Sequence, residues 1–374
     1  MALVVTPPQI DTVFACNPIV FSCSVEPEDA ILTIIVDIWD YTHSVKIVSA
    51  NYSVYNNECS FDLSGYIKNL FTSLGGLDYT SELIGSDTCI NLSIDVYNEG
   101  GTIQNFPINA VYGVTQILED DIISYASCDK KKFLTGFTNP KFWKSYPFTL
   151  SIIRDIVPVT DDVFGLFDAG SGDLYTLTGA NTSVTVIHGN IGLLYNNNVA
   201  NPLWSTYPKI SCVLAENPVG KSWESEVKII QLMNPTTAIC TPVYLRWLNQ
   251  FGGYDYYMFF KKDILKGTKS TTVNKFPLRL YASGGQHDGS RKIVSKSSSK
   301  TWVVSALNIP VDEYEELLKI YDSVKVDMWI PKTETIDGAF LGITLVEKSN
   351  TVPQDGILMD LELELLMPET FTQK

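Results

Sequence analysis

Short apolar segments rich in Val, Ile, Thr and Tyr recur along this chain, separated at close intervals by Asn, Asp, Gly and Pro. That spacing is the pattern of β-sandwiches. Within residues 1–120 it predicts strands at 13–14, 19–24, 30–37, 44–54, 88–97 and 109–116. One short helix interrupts them, because Tyr66, Ile67, Leu70 and Phe71 recur at helical spacing after Asp62 and Ser64, either of which can cap it. The block reads as an immunoglobulin- or fibronectin-type sandwich with one helical crossover.

Residues 121–240 read as a second β domain, with strands at 148–154, 174–177, 183–188, 210–215 and 226–233. Its polar stretches, Asp168-Ala-Gly-Ser-Gly-Asp173 and Asn196-Asn-Asn198, read as turns. The first lacks the acid ladder of a calcium loop, so no metal is expected there.

The third block, 241–374, opens on an aromatic hairpin, Tyr244-Leu-Arg-Trp-Leu-Asn-Gln-Phe-Gly-Gly-Tyr-Asp-Tyr-Tyr-Met-Phe-Phe260. Gly252 and Gly253 allow the turn, and facing aromatics stabilise the strand pair. A Ser-, Thr-, Gly- and Lys-rich arm (261–300) follows, whose composition suits a long hairpin, a mobile arm or a loop that orders on assembly. Pro310 then opens a helix with an apolar stripe of Val311, Tyr314, Leu317, Leu318 and Tyr321 and acids in its first turns. Three strands are expected after it, at 324–330, 339–347 and 357–366, with turns at Asp337-Gly338 and Asp355-Gly356. The expected fold class is therefore mainly β and multi-domain, ending in an α+β module with one helix.

At 374 residues, two or three domains are expected, and the 45 % apolar content suffices for a core in each. The apolar runs end well short of membrane-spanning length, and the first residues lack the basic and apolar regions of a signal peptide. Seven scattered cysteines without a CxxC pair read as buried free thiols. Four of them precede residue 90, which leaves a disulfide in the first block as the lesser reading.

The net charge of −15 argues against nonspecific nucleic-acid binding by the whole surface. The charge is unevenly placed. Residues 261–300 hold ten Lys or Arg and two Asp, a net of +8, whereas 301–374 hold five basic and fourteen acidic residues, a net of −9. The basic segment suits a solvated loop or an acidic neighbour, including another copy of the chain. Nucleic-acid contact would want more aromatics among the basic residues than Phe276, Tyr281 and Trp302.

No catalytic motif emerges. His43, His188 and His287 lie far apart, and nucleophile elbows, Walker loops and dinucleotide fingerprints are missing. Gly170-Ser-Gly172 and Gly284-Gly285 read as turn glycines, and the acid pairs Asp120-Asp121 and Asp161-Asp162 as solvated edges. Trp143, Tyr146, Trp204 and Trp223 suit a sugar-stacking platform or buried anchoring equally well. No catalytic, cofactor-binding or metal-ligating residue is expected.

The aromatic hairpin resembles a segment of virion structural proteins from tailed phages of gut Bacteroidota, including the crAss-like phages. Phe14-Ala-Cys-Asn-Pro-Ile-Val-Phe21, the later Cys59-Ser-Phe-Asp-Leu-Ser-Gly-Tyr-Ile-Lys-Asn-Leu-Phe71, and the end piece at 310–366 point the same way. Together they cover about half of the chain; the middle block carries no resemblance, and the long Lys-rich insert departs from the family pattern. The resemblance implies a structural ring, barrel, adaptor or baseplate protein of a phage tail, made in the host cytoplasm and located in the virion. Its partners would be copies of itself in a cyclic homo-oligomer and other tail, portal or baseplate proteins, with neither membrane nor nucleic acid. Interface candidates are Trp247, Gly252, Gly253, Tyr254, Tyr256, Lys261, Lys262, Lys266 and Lys269. In that picture the hairpin packs the third block's core and the arm reaches an acidic face of the next subunit. The alternative is a carbohydrate-binding or adhesin module recognising host surface glycans.

Overall fold

The structure is a computed structural model. It describes residues 3–8, 12–25, 33–72, 74, 76–85, 88–99, 101, 103–114, 131–153, 163–167, 174–177, 186–199, 204, 208–217, 222–223, 225–235, 241–274, 291–332, 338–348, 358–367 and 370–373. As its β-rich sequence requires, the chain is built mainly of strands. They group into two compact units. Unit 1 comprises Met1–Asn234, Trp247–Tyr256 and Asp322–Lys325; unit 2 comprises Pro235–Arg246, Tyr257–Tyr321 and Val326–Lys374.

Unit 1 begins with a β-sandwich. One sheet orders Leu3–Thr6, Val20–Val25 and Glu58–Asp62. The other orders Thr12–Phe14, Gln104–Val111, Cys89–Asn98, Thr33–Asp40 and Lys46–Ser53. Alternation decides what is buried: Phe21, Cys23 and Val25 face inward while Val20, Ser22 and Ser24 are exposed. Phe21 stacks on Phe61 within the first sheet, and reaches Phe106 of the second with ring centroids 5.7 Å apart. Tyr52 stacks on Phe61 at 4.6 Å, so aromatic contacts knit the two sheets together.

Helix α1, Ser64–Ile67, buries Ile67 and leaves Tyr66 exposed. Asp62 organises its start: its Oδ1 accepts hydrogen bonds from Ser64 N at 2.9 Å and Ile19 N at 2.8 Å. The capping residue itself is Leu63, which makes no side-chain cap.

The expected boundary near residue 120 does not divide the contacts. Leu83–Gly85, from the first block, forms the third strand of a sheet with Thr149–Ile153 and Val186–Asn190 from the second. A further sheet orders Lys141–Trp143, Lys228–Met233, Lys209–Asn217, Val163–Phe167 and Leu174–Leu177, with Ser222–Trp223 pairing off Lys209–Asn217. Helix α2, Ile191–Asn197, was not anticipated. The Asn190 side chain caps it by accepting from Leu193 N at 3.1 Å, and Asn196 and Asn197 belong to its last turn rather than to a loop.

The strands Tyr254–Asn274, Pro242–Leu248, Val326–Ile330, Ala339–Leu345, Leu358–Leu366 and Arg291–Pro310, most of whose residues belong to unit 2, pair in that order, and the last returns to the first. A six-stranded barrel results, with Thr370–Gln373 added beside Arg291–Pro310. Closure removes the open edges within the barrel itself. Leu361, Leu363 and Leu365 fill the barrel side of their strand, as their alternation with Asp360, Glu362 and Glu364 demands. Helix α3, Val311–Leu318, buries Tyr314 and Leu317.

Candidate functional site

The aromatic hairpin is built for close approach. Strand Pro242–Leu248 ends at Asn249, whose side chain folds the turn around itself. Its Oδ1 accepts from Phe251 N and Gly253 N, both at 3.0 Å, while its Nδ2 donates to the Leu134 carbonyl at 2.8 Å and to Asp255 Oδ2 at 3.0 Å. Thr135 Oγ1 donates to the other Asp255 oxygen at 2.5 Å. Thr88 Oγ1 donates to the Gly252 carbonyl at 2.7 Å. Gly252 has φ +83°, a conformation that only glycine adopts freely, and a Cβ there would lie 2.6 Å from the Tyr112 carbonyl.

These partners, like the turn, belong to unit 1. Phe251 joins Phe14, Val111, Leu134, Ile153 and Val186 in a small apolar cluster. Trp247 is 1 % exposed and meets Phe137 edge-on. Tyr254 packs near His188, and Tyr256 Oη bonds Tyr79 Oη and Thr149 Oγ1, each at 2.8 Å. The hairpin was expected to pack the third block's core and to offer interface residues. Its tip instead packs unit 1, and Trp247, Gly252, Gly253, Tyr254 and Tyr256 are all buried there, in the folded chain's own interior rather than on a docking face.

The basic segment is placed differently. Tyr254–Asn274 and Arg291–Pro310 stay paired from Phe260↔Ser305 out to Asn274↔Arg291, so the described part of the arm is a β-ribbon. Fourteen residues of extended strand beyond Phe260 span about 45 Å. Leu358–Leu366 accompanies the returning strand only from Thr301 onward, and Thr370–Gln373 covers Lys296–Ser298.

Lys261 and Lys262 are engaged at the root. Lys261 Nζ lies 3.7 Å from the Trp302 ring centroid, and Lys262 pairs with Glu362. Lys266 is exposed and directly faces Lys300, also exposed. Like charges opposed across a ribbon cost roughly 0.2–1 kcal/mol. Lys269 stands opposite Ser297; its side chain lies outside the described residues. The two strands beyond Phe260 also carry Arg291, Lys292 and Lys296, with Asp263 as their one acid.

Two polar clusters escaped the sequence reading. On the outer face of the five-stranded sheet, Asp37 stands directly across from Asp95, and both are buried. Burial opposes ionisation of Asp37, but hydrogen bonds from Lys46, Ser49 and Tyr97 win and hold its carboxyl below the usual range. Asp95 accepts from Asn105 Nδ2 at 2.7 Å and faces His43 Nε2 at 3.1 Å. His43 reaches it from a left-handed turn, with φ 55°. Deeper in unit 1, Ser151 Oγ lies 2.5 Å from His188 Nδ1. Both residues are buried, so the pair is a core hydrogen bond. Cross-strand register brings such pairs together from far apart in the chain, and the residue pattern carries no signal of it.

Of the aromatics considered for a sugar platform, Trp143 and Trp204 are buried, and Trp204 packs edge-on against Phe142 and Tyr195. The Trp223 side chain, the loop 168–173, the acid pairs at 120–121 and 161–162, Gly284-Gly285, His287, Asp355-Gly356, Cys128 and Cys240 lie outside the described residues. Among the described residues no three His, Cys, Asp or Glu side chains gather as a metal site, and no helix is long and apolar enough to cross a membrane. No protein-family model matches the chain, and a search of curated proteins returns no match.

Proposed function

We propose that this chain is a non-enzymatic structural component of a phage tail, a ring, barrel, adaptor or baseplate protein. It works by docking on copies of itself in a closed cyclic oligomer and on neighbouring tail, portal or baseplate proteins in the virion. The observation that carries the reading is the basic ribbon. Its opposed Lys266 and Lys300 repel each other within one chain, and an acidic surface laid against them would relieve that repulsion. The same chain offers such a surface, since Asp312 and Glu315 are exposed on α3. Basic and acidic patches at different positions are what a head-to-tail cyclic contact requires. The resemblance of the hairpin, of residues 14–21 and 59–71 and of the end piece to tail proteins supports the same reading.

Negative-stain imaging of the purified chain, with light scattering across a salt series, tests it. Rings that dissociate as salt rises are expected. A chain that stays monomeric at low salt and high concentration would sink the self-assembly reading.

A further inference from the structure

Cys23 and Cys59 stand directly opposite each other on the antiparallel strands Val20–Val25 and Glu58–Asp62. On one side of them Val25 N donates to Asn57 O at 2.9 Å, and on the other Leu63 N donates to Ile19 O at 3.0 Å. Bonded and non-bonded pairs alternate along such a ladder. Counting two positions from Val25 and four from Ile19 places Cys23 and Cys59 at a bonded pair, whose Cα atoms stand about 5.5 Å apart. That separation lies within the range disulfides span. Both side chains point to the same, core-facing side, in line with Phe21 and Phe61, and both are free thiols.

We propose that Cys23 and Cys59 form a redox-installed staple, a cross-strand disulfide made by exchange with a small oxidised disulfide such as glutathione disulfide. The route follows from the topology. In the closed sandwich burial pushes the Cys23 thiol up to about 12, with the neighbouring Cys59 adding to it, and burial raises Cys59 too. Thiolate is therefore scarce while the sheet is shut. Glu58–Asp62 is an edge strand, whereas Val20–Val25 is the central one. Local opening of the edge frees Cys59 first.

The Cys59 thiolate attacks one sulfur of glutathione disulfide, forming a mixed disulfide and releasing one glutathione. On reclosure the Cys23 thiolate attacks the Cys59 sulfur and expels the second glutathione. Two protein thiols are oxidised, one glutathione disulfide is reduced, and the two thiol protons end on the two glutathiones. The loop so closed contains Thr33–Asp40 and Lys46–Ser53 of the facing sheet, so one bond restrains both layers of the sandwich.

The test uses the full chain with Cys16, Cys128 and Cys240 changed to Ser, incubated with glutathione disulfide, then alkylated and mapped by non-reducing peptide mass spectrometry. A Cys23–Cys59 linked peptide should accumulate, faster in sub-denaturing urea and at higher pH, and the oxidised chain should melt at a higher temperature than the reduced one. Cys59→Val, chosen to keep the core filled and verified as folded by circular dichroism, should give no cross-link. Glutathione adducts without the linked peptide, or a linked chain that melts no higher than the reduced one, would overturn the staple.

Discussion

Gly253 lies so close to Leu134 that a Cβ added to it would sit 2.1 Å from the Leu134 carbonyl oxygen. Neither backbone can withdraw easily, because Asn249 donates to that same carbonyl and accepts from Gly253 N. Gly253→Ala should therefore destabilise unit 1 by about 2–4 kcal/mol. Gly252→Ala should add left-handed strain of about 1–3 kcal/mol to its own clash with Tyr112. Urea unfolding of the full chain, followed by tryptophan fluorescence, measures both. An unchanged midpoint for Gly253→Ala would mean that the hairpin tip is not seated against Leu134.

Arg246 and Asp327 make a fully buried ion pair in unit 2, with Nη2 and Nε each 3.0 Å from Asp327 Oδ2 and the guanidinium 4.0 Å from the Phe340 ring. Removing one partner strands the other's charge away from water. Arg246→Met alone should cost about 3–5 kcal/mol, while adding Asp327→Leu should recover most of it. A double-mutant cycle on denaturant midpoints checks this, and additive losses would contradict the pairing.

Acid should loosen unit 1 through Asp37 and Asp62. At Asp62, as at Asp37, burial opposes ionisation, but the bonds from Ser64 and Ile19 prevail and the carboxyl is held below its usual range. A depressed folded pKa contributes stability above the unfolded value, about 3.9, and loses it as pH falls through the lower folded value. Unfolding midpoints should thus be level from pH 7 to 5 and fall below about pH 4. Asp37→Asn should lower the plateau and shrink the acid-induced drop; an unaltered drop would assign the acid sensitivity elsewhere.

The ribbon should show stability and assembly moving in opposite directions. Lys300→Glu places a carboxylate opposite Lys266 and should stabilise the isolated chain by about 0.2–1 kcal/mol. If the ribbon docks on acid, the same change should weaken assembly at low salt. Lys266→Glu should act alike, whereas Lys262→Glu should harm the monomer as well, because it sets two carboxylates together at Glu362. Assembly that tolerates both Lys266→Glu and Lys300→Glu at every salt concentration would remove the electrostatic contact from the proposal.

Strand periodicity, the Pro310 helix with its Tyr314 and Leu317 stripe, and the alternation of Leu361 to Leu365 were legible from the sequence because each is a local pattern set by one element's own repeat. So was the concentration of positive charge at 261–300, which is a matter of composition. Asn190 could have revealed α2, since an Asn before an apolar run is a cap signal, but two following apolar turns are too few to separate helix from strand.

Tertiary structure alone decided which strands meet. It sent Leu83–Gly85 into a sheet with Val186–Asn190, seated the hairpin tip on Leu134 and Tyr112, and set Asp37 against Asp95, Lys266 against Lys300 and Cys23 against Cys59. Each of these depends on register between segments distant in the chain. Register is fixed by burying a whole face at once, and a one-residue slip would flip every side chain to the opposite face of the sheet.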